Sequence, residues 1–159
     1  MIDFDKIMRD IVAGMTPVSI NSVAYSVRYE WGRERDVDPF LRVYQDKHFP
    51  LIWSVPKVDR SLDMGARYQR DAEFVLCTRE TRDLLNVERI DLAFAQVLYP
   101  LWDAFERAIE ASDLASIVPD TTSFLKFPNY TVNGKHATPE VWDALRVSCT
   151  VDFNDINNC

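Results

Sequence analysis

The stretch Asn86 to Glu110, NVERIDLAFAQVLYPLWDAFERAIE, carries the longest periodic signal in the chain. Ile90, Phe94, Val97, Leu98, Leu101, Trp102, Phe105 and Ile109 recur at threes and fours, the spacing that lines one face of a helix. Asn86 is placed to cap its start. Pro100 has no N–H to donate to the Gln96 carbonyl, so the sequence predicts a long helix that kinks or breaks there. This helix is the main packing element, and the chain on either side of it reads as the sheet it packs against.

Upstream, Ile2, Phe4, Ile7, Met8, Ile11, Val12 and Met15 follow the helical period, with Gly14 and then Pro17 to end an N-terminal helix. From Val23 to Trp31 every odd residue is apolar or aromatic and the even ones are mostly polar, which predicts one half-buried strand whose odd side chains face the long helix or a neighbouring molecule. On that reading Trp31→Ala costs about 3 to 5 kcal/mol if the indole is fully buried. Asp38-Pro39 reads as a cap followed by proline at the first position of a short helix or turn to about Lys47. Leu51 to Val55, bracketed by Pro50 and Pro56, reads as a buried strand. Ala72 to Thr78 alternates and makes the second arm of a hairpin, and the polar tip from Lys57 to Arg70 is predicted to be disordered until it meets a partner.

Beyond Ser112, Pro119, Pro128, Pro139 and the Asn133-Gly134 turn signal predict an extended loop region over 113–140. Leu145, Val147, Cys149, Val151 and Phe153 then alternate with polar residues in a closing strand. The whole is a single α+β domain over residues 1–159. An antiparallel or mixed β-sheet is packed by the long kinked helix and the N-terminal helix.

Of the 159 residues, 47% are hydrophobic and only 4 are Gly, which fits one domain with a real core. The net charge of −7 argues against a dedicated nucleic-acid grip. No apolar run is long enough to span a bilayer, and the first residues carry acids where a signal peptide carries bases, so the expectation is a protein made in the cytosol with no membrane contact. Three cysteines, Cys77, Cys149 and Cys159, lack C-x-x-C spacing and imply no disulfide framework.

The chemical inventory is thin. His48 and His136 have no second metal ligand at helical spacing, so no metal is expected. Cys77 or Cys149 could meet a histidine in space, as in a small cysteine-dependent hydrolase or transferase, although strand cysteines are usually buried. Asp103, Glu106 and Glu110 could form an acid–base cluster or, more simply, a solvated helix face. No phosphate-binding loop, dinucleotide fingerprint or nucleophile elbow is present, so neither a catalytic residue nor a cofactor is expected. Aromatics are plentiful instead: Tyr25, Tyr29, Trp31, Trp53 and Trp142 suit both cores and interfaces. Tyr29 and Trp31, with the tip arginines Arg60, Arg67 and Arg70, are the candidate interface residues.

In element order the chain resembles the tail terminator or tail-completion proteins of tailed bacteriophages, a family of head-tail joining subunits. The resemblance spans most of the chain. It rests on the N-terminal helix, the aromatic strand from Val23, Phe49-Pro50-Leu51-Ile52-Trp53, the hairpin ending in Glu73-Phe74-Val75-Leu76, the proline-containing helix from Val87 to Glu110, and Trp142-Asp143-Ala144-Leu145-Arg146-Val147. It implies a structural virion protein and not an enzyme. Such a subunit is synthesised in the host cytoplasm and forms a homo-oligomeric ring, commonly a hexamer, against other tail-tube and head-tail connector proteins. DNA passes through the lumen of such a ring without specific binding, and an acidic wall would repel it. An adaptor that forms no ring is the alternative outside enzymology.

Overall fold

The computed structural model describes residues 3–20, 22–43, 50–62, 67–80, 86–128 and 141–154. The elements are α1 (Phe4–Ala13), β1 (Val18–Ile20), β2 (Val23–Tyr25), β3 (Arg28–Trp31), α2 (Glu34–Val43), β4 (Leu51–Val55), β5 (Asp59–Ser61) and β6 (Arg67–Glu80). They continue with α3 (Asn86–Arg89), a π-helical segment (Ile90–Leu98), α4 (Tyr99–Glu110), β7 (Ala115–Ile117), β8 (Ser123–Phe127) and β9 (Val141–Asn154). The α+β class expected from the sequence is what the structure shows, with a mixed sheet.

Two strands of 14 residues, β6 and β9, pair antiparallel from Arg67–Asn154 to Glu80–Val141 and form the spine of the sheet. Shorter strands share each outer edge of this spine. β4 and β5 lie along β6, β8 and β7 lie along β9, and β3 adds to β4 in parallel. Alternation places Ala72, Phe74 and Leu76 of β6 and Leu145, Val147, Val151 and Phe153 of β9 on one face. α1 and the long helix cover that face with Phe4, Ile7, Met8, Phe94, Leu98, Leu101, Trp102, Phe105 and Ile109, all buried. Ring contacts such as Phe74 against Phe105, with centroids 5.2 Å apart and nearly perpendicular, tie the layers together. The opposite face is apolar at one end only, where Val37 and Leu41 of α2 meet Leu51, Trp53, Val75, Cys77, Trp142 and Ala144.

Several expectations are corrected. The alternating run from Val23 to Trp31 is two strands: β2 turns back on β1 in a separate hairpin, and only β3 joins the main sheet. Ser22, with φ 65°, sits in the left-handed turn of that hairpin. Of the odd residues only Tyr29 is buried, while Val23 and Trp31 are 51% and 41% exposed. Alternation marks extended backbone without saying which sheet will pair with it.

α2 begins at Glu34 and carries Pro39 inside, where the sequence placed its first turn. Glu34 and Asp36 suit the helix dipole at the start, and Val37, Phe40 and Leu41 supply the buried stripe. The hairpin of β4 and β6 is as expected, but its tip is not disordered where it is described: Asp59–Ser61 pairs with Tyr68–Arg70. The helix does not break at Pro100. The irregularity lies before it, where wide turns end with the Tyr99 N–H donating to the Phe94 carbonyl five residues back. That register change precedes the residue that lacks an N–H, and α4 runs on regularly with Pro100 in its first turn. The expected loop of 113–140 contains β7 and β8, both docked on β9; residues 129–140 lie outside the described residues. Trp142 lies inside the closing strand, 5% exposed.

Candidate functional site

Two of the five candidate interface residues, Tyr29 and Arg70, are joined by one carboxylate. Tyr29 of β3 points under α1, and its hydroxyl donates to Asp5 Oδ1 at 2.8 Å. Burial, and then the charge of Asp5, hold the Tyr29 phenol well above its ordinary pKa, so it remains a donor. Arg70 reaches the same carboxylate from β6, with Nη1 3.4 Å from Asp5 Oδ2, and binds Asp59 of β5 through Nη2 at 3.0 Å. Its guanidinium lies 4.1 Å from the centre of the Phe4 ring. Burial works against the Arg70 charge, but the bonds and attraction of Asp59 and Asp5 outweigh it and raise its pKa further. Arg70 and Tyr29 therefore clamp α1 to the sheet from inside. Neither side chain is free to meet a partner.

Arg60 and Arg67 remain at the surface. Arg60 pairs with Asp71, both more than half exposed, and Arg67 is exposed at the start of β6. Close to them the end of the second sheet face that no described element covers is a ladder of polar pairs: Gln69 to Asp152 at 2.9 Å, Thr150 to Asp71 at 3.1 Å and Lys57 to Glu73 at 2.9 Å. A shallow recess of about 300 Å³ lies over Lys57, Asp71, Glu73, Thr121, Ser148 and Thr150.

Trp31 is half-exposed. It stands at the free end of β3 with Arg9 of α1 stacked 4.2 Å from its ring centre. A cleft of about 470 Å³ runs between α1 and β3, lined by Arg9, Val12 and Ala13 on one side and Ser26 to Trp31 on the other. Within it Arg28 is neutralised by Glu30 at 2.6 Å. Sequence reasoning named Tyr29 and Trp31 but missed Arg9, which reads on the sequence as one more charge on the outer face of an amphipathic helix.

Of the candidate chemical groups, both strand cysteines are withdrawn from solvent. Cys77 and Cys149 are buried in β6 and β9. Burial pushes the Cys77 thiol far up, and burial with the charge of Glu106 pushes Cys149 up to about 12. His48 and His136 lie outside the described residues. Asp103 and Glu110 are exposed on α4, and Glu110 Oε1 accepts the backbone N–H of Ile117 at 2.7 Å, a structural contact. Among the described residues no cluster of three or more His, Cys, Asp or Glu could hold a metal, and no helix is long and apolar enough to cross a membrane. A buried ion pair, Arg89 with Asp143 at 3.1 Å, went unnoticed in the sequence; it joins the start of the long helix to β9. Compared with protein-family models and with curated proteins, the sequence matches none.

Proposed function

We propose that this chain is a structural subunit of a tailed bacteriophage particle, assembling as a ring that caps the tail tube or joins it to the head. The observation that carries the reading is that, among the described residues, the sheet has two unlike edges with no further strand paired to them. At one end β3 presents Trp31 and the Arg9 cleft; at the other β8 presents Phe124 and Leu125, 45% and 53% exposed. A cyclic ring needs two different, complementary patches on every subunit, one for each neighbour. Val87 and Ile90, 71% and 47% exposed at the start of the long helix, add apolar surface of the kind such contacts cover. The net charge of −7 suits a lumen through which DNA slides without sticking.

The cysteine-dependent alternative needs an accessible thiolate beside a base, and burial of both thiols works against it. Light scattering and negative-stain imaging of the purified protein, alone and mixed with assembled tail tubes, test the reading. Closed rings, free or seated on tube ends, are expected. A chain that stays monomeric under both conditions refutes it.

A further inference from the structure

The ladder between β3 and β4 determines where the backbone of β3 points. Arg28 N–H donates to the Pro50 carbonyl at 3.0 Å and Gly32 N–H to the Ser54 carbonyl at 3.1 Å, in a parallel register that pairs Arg28 with Leu51 and Trp31 with Ser54. In such a ladder alternate residues turn both backbone groups toward the partner, so Arg28, Glu30 and Gly32 face β4 while Tyr29 and Trp31 face away. Among the described residues nothing bonds the outward N–H and C=O groups of Tyr29 and Trp31. Folded proteins usually shield such an edge. β7, at the far side of the sheet, does so: it is three residues long, and Glu110 occupies the N–H of Ile117.

The open edge of β3 is also one wall of the 470 Å³ cleft whose other wall is α1. An exposed strand edge beside a helix is the geometry in which an extended peptide adds as a further strand and places alternate side chains in the groove. The groove's charge selects among such peptides. Arg28 is paired with Glu30, but Arg9 has no carboxylate partner among the described residues and is held over Trp31 by stacking. Within the groove, among the described residues, Arg9 is thus left as an uncompensated cation. Spacing fits as well: Arg9 and Ala13, four residues apart on α1, are separated by about 6 Å along the helix, and side chains two apart on a strand by about 6.6 Å.

We propose that the cleft between α1 and β3 docks an extended acidic segment of a partner protein. That segment adds as a strand on Tyr29 and Trp31, with a carboxylate on Arg9 and an apolar side chain two residues away against Val12 and Ala13. It assigns to this segment the β3 edge that the ring reading gives to a neighbour, and the peptide test, made on the protein alone, succeeds or fails independently of ring formation.

The test uses the whole protein and three short fluorescent peptides: one alternating threonine with aspartate and valine, one with lysine for aspartate, and one N-methylated along its pairing edge. Anisotropy measures binding, and NMR amide exchange reports on single strand residues. The acidic peptide is expected to bind and to slow exchange at Tyr29 and Trp31 while leaving Arg28 and Glu30 unchanged. The N-methylated peptide is expected not to bind. Arg9→Glu, a change on the exposed side of α1 whose folding is checked by its melting curve, should weaken the acidic peptide by about ten-fold and favour the lysine peptide. No binding of the acidic peptide, equal binding of the acidic and lysine peptides, or binding without protection of Tyr29 and Trp31 overturns the proposal.

Discussion

Arg70 offers the sharpest test of the fold, because the structure moves it from a surface loop to the inside. Replacing it with methionine keeps an apolar stem over Phe4 but removes the charge shared by Asp5 and Asp59. Asp5, only 8% exposed, is then left with the Tyr29 hydroxyl alone. Removing one partner of a buried pair costs about 3 to 5 kcal/mol. The Asp59 side chain is 26% exposed and regains water, which places the expected loss at the lower end, about 3 kcal/mol. For a domain of this size each kcal/mol moves Tm by about 2 to 4 °C, so Arg70→Met should melt about 6 to 12 °C below the parent. Adding Asp5→Asn removes the stranded charge and keeps an oxygen for Tyr29. The double variant should therefore lose at least about 1 kcal/mol less than the sum of the two singles. Arg60→Met is the control: its pair with Asp71 is open to solvent and is worth no more than about 1 kcal/mol. Thermal and urea unfolding followed by circular dichroism measures all four. The inward clamp would be falsified by an Arg70→Met protein that melts with the parent, or by strict additivity with Asp5→Asn.

Three further outcomes are expected. Trp31→Ala should cost only about 1 kcal/mol, because the indole is 41% exposed and its stacking with Arg9 is a surface contact; a loss above about 3 kcal/mol in urea unfolding means that the ring is buried after all. Gly32→Ala should lose about 1 to 3 kcal/mol by the same measurement, since a Cβ there would stand 2.8 Å from Trp53 Cζ2, whose ring is held by an indole N–H donating to the Gly32 carbonyl at 2.9 Å; an unchanged midpoint contradicts that packing. Cys149 makes stability fall at alkaline pH. Its thiol ionises at about 8.5 when unfolded and at about 12 when folded, so its contribution is complete below about pH 8.5 and is lost as pH rises toward 12. Urea midpoints near pH 7 and near pH 10 should therefore converge in Cys149→Ala relative to the parent, and equal slopes in the two proteins rule the effect out.

Much of this architecture is legible from periodicity alone. The stripes of α1 and the long helix, the alternation of β6 and β9 and the continuous apolar run of β4 each state a face, and a face that must be buried leaves few arrangements. Even the burial of Arg70 has a trace in the sequence. It shares parity with Ala72, Phe74 and Leu76 on the core face of β6, although its charge reads as the end of a strand.

What the tertiary structure alone decides is which partner each local signal finds. The run from Val23 to Trp31 divides because β2 pairs with β1 while β3 pairs with β4, and nothing in an alternating pattern names its neighbour. β7 is only three residues long, with Ala115 and Ile117 turned inward, and β8 is exposed along most of its length, so neither shows a readable stripe in the sequence; they become strands because the long edge of β9 offers them hydrogen bonds. The arginines Arg60 and Arg70, similar on paper, divide between water and core according to where Asp5 and Asp59 stand in space. Local chemistry sets what each segment needs to bury, whereas the meeting of residues far apart in sequence determines which charges are paired, which edge stays open and where a partner can dock.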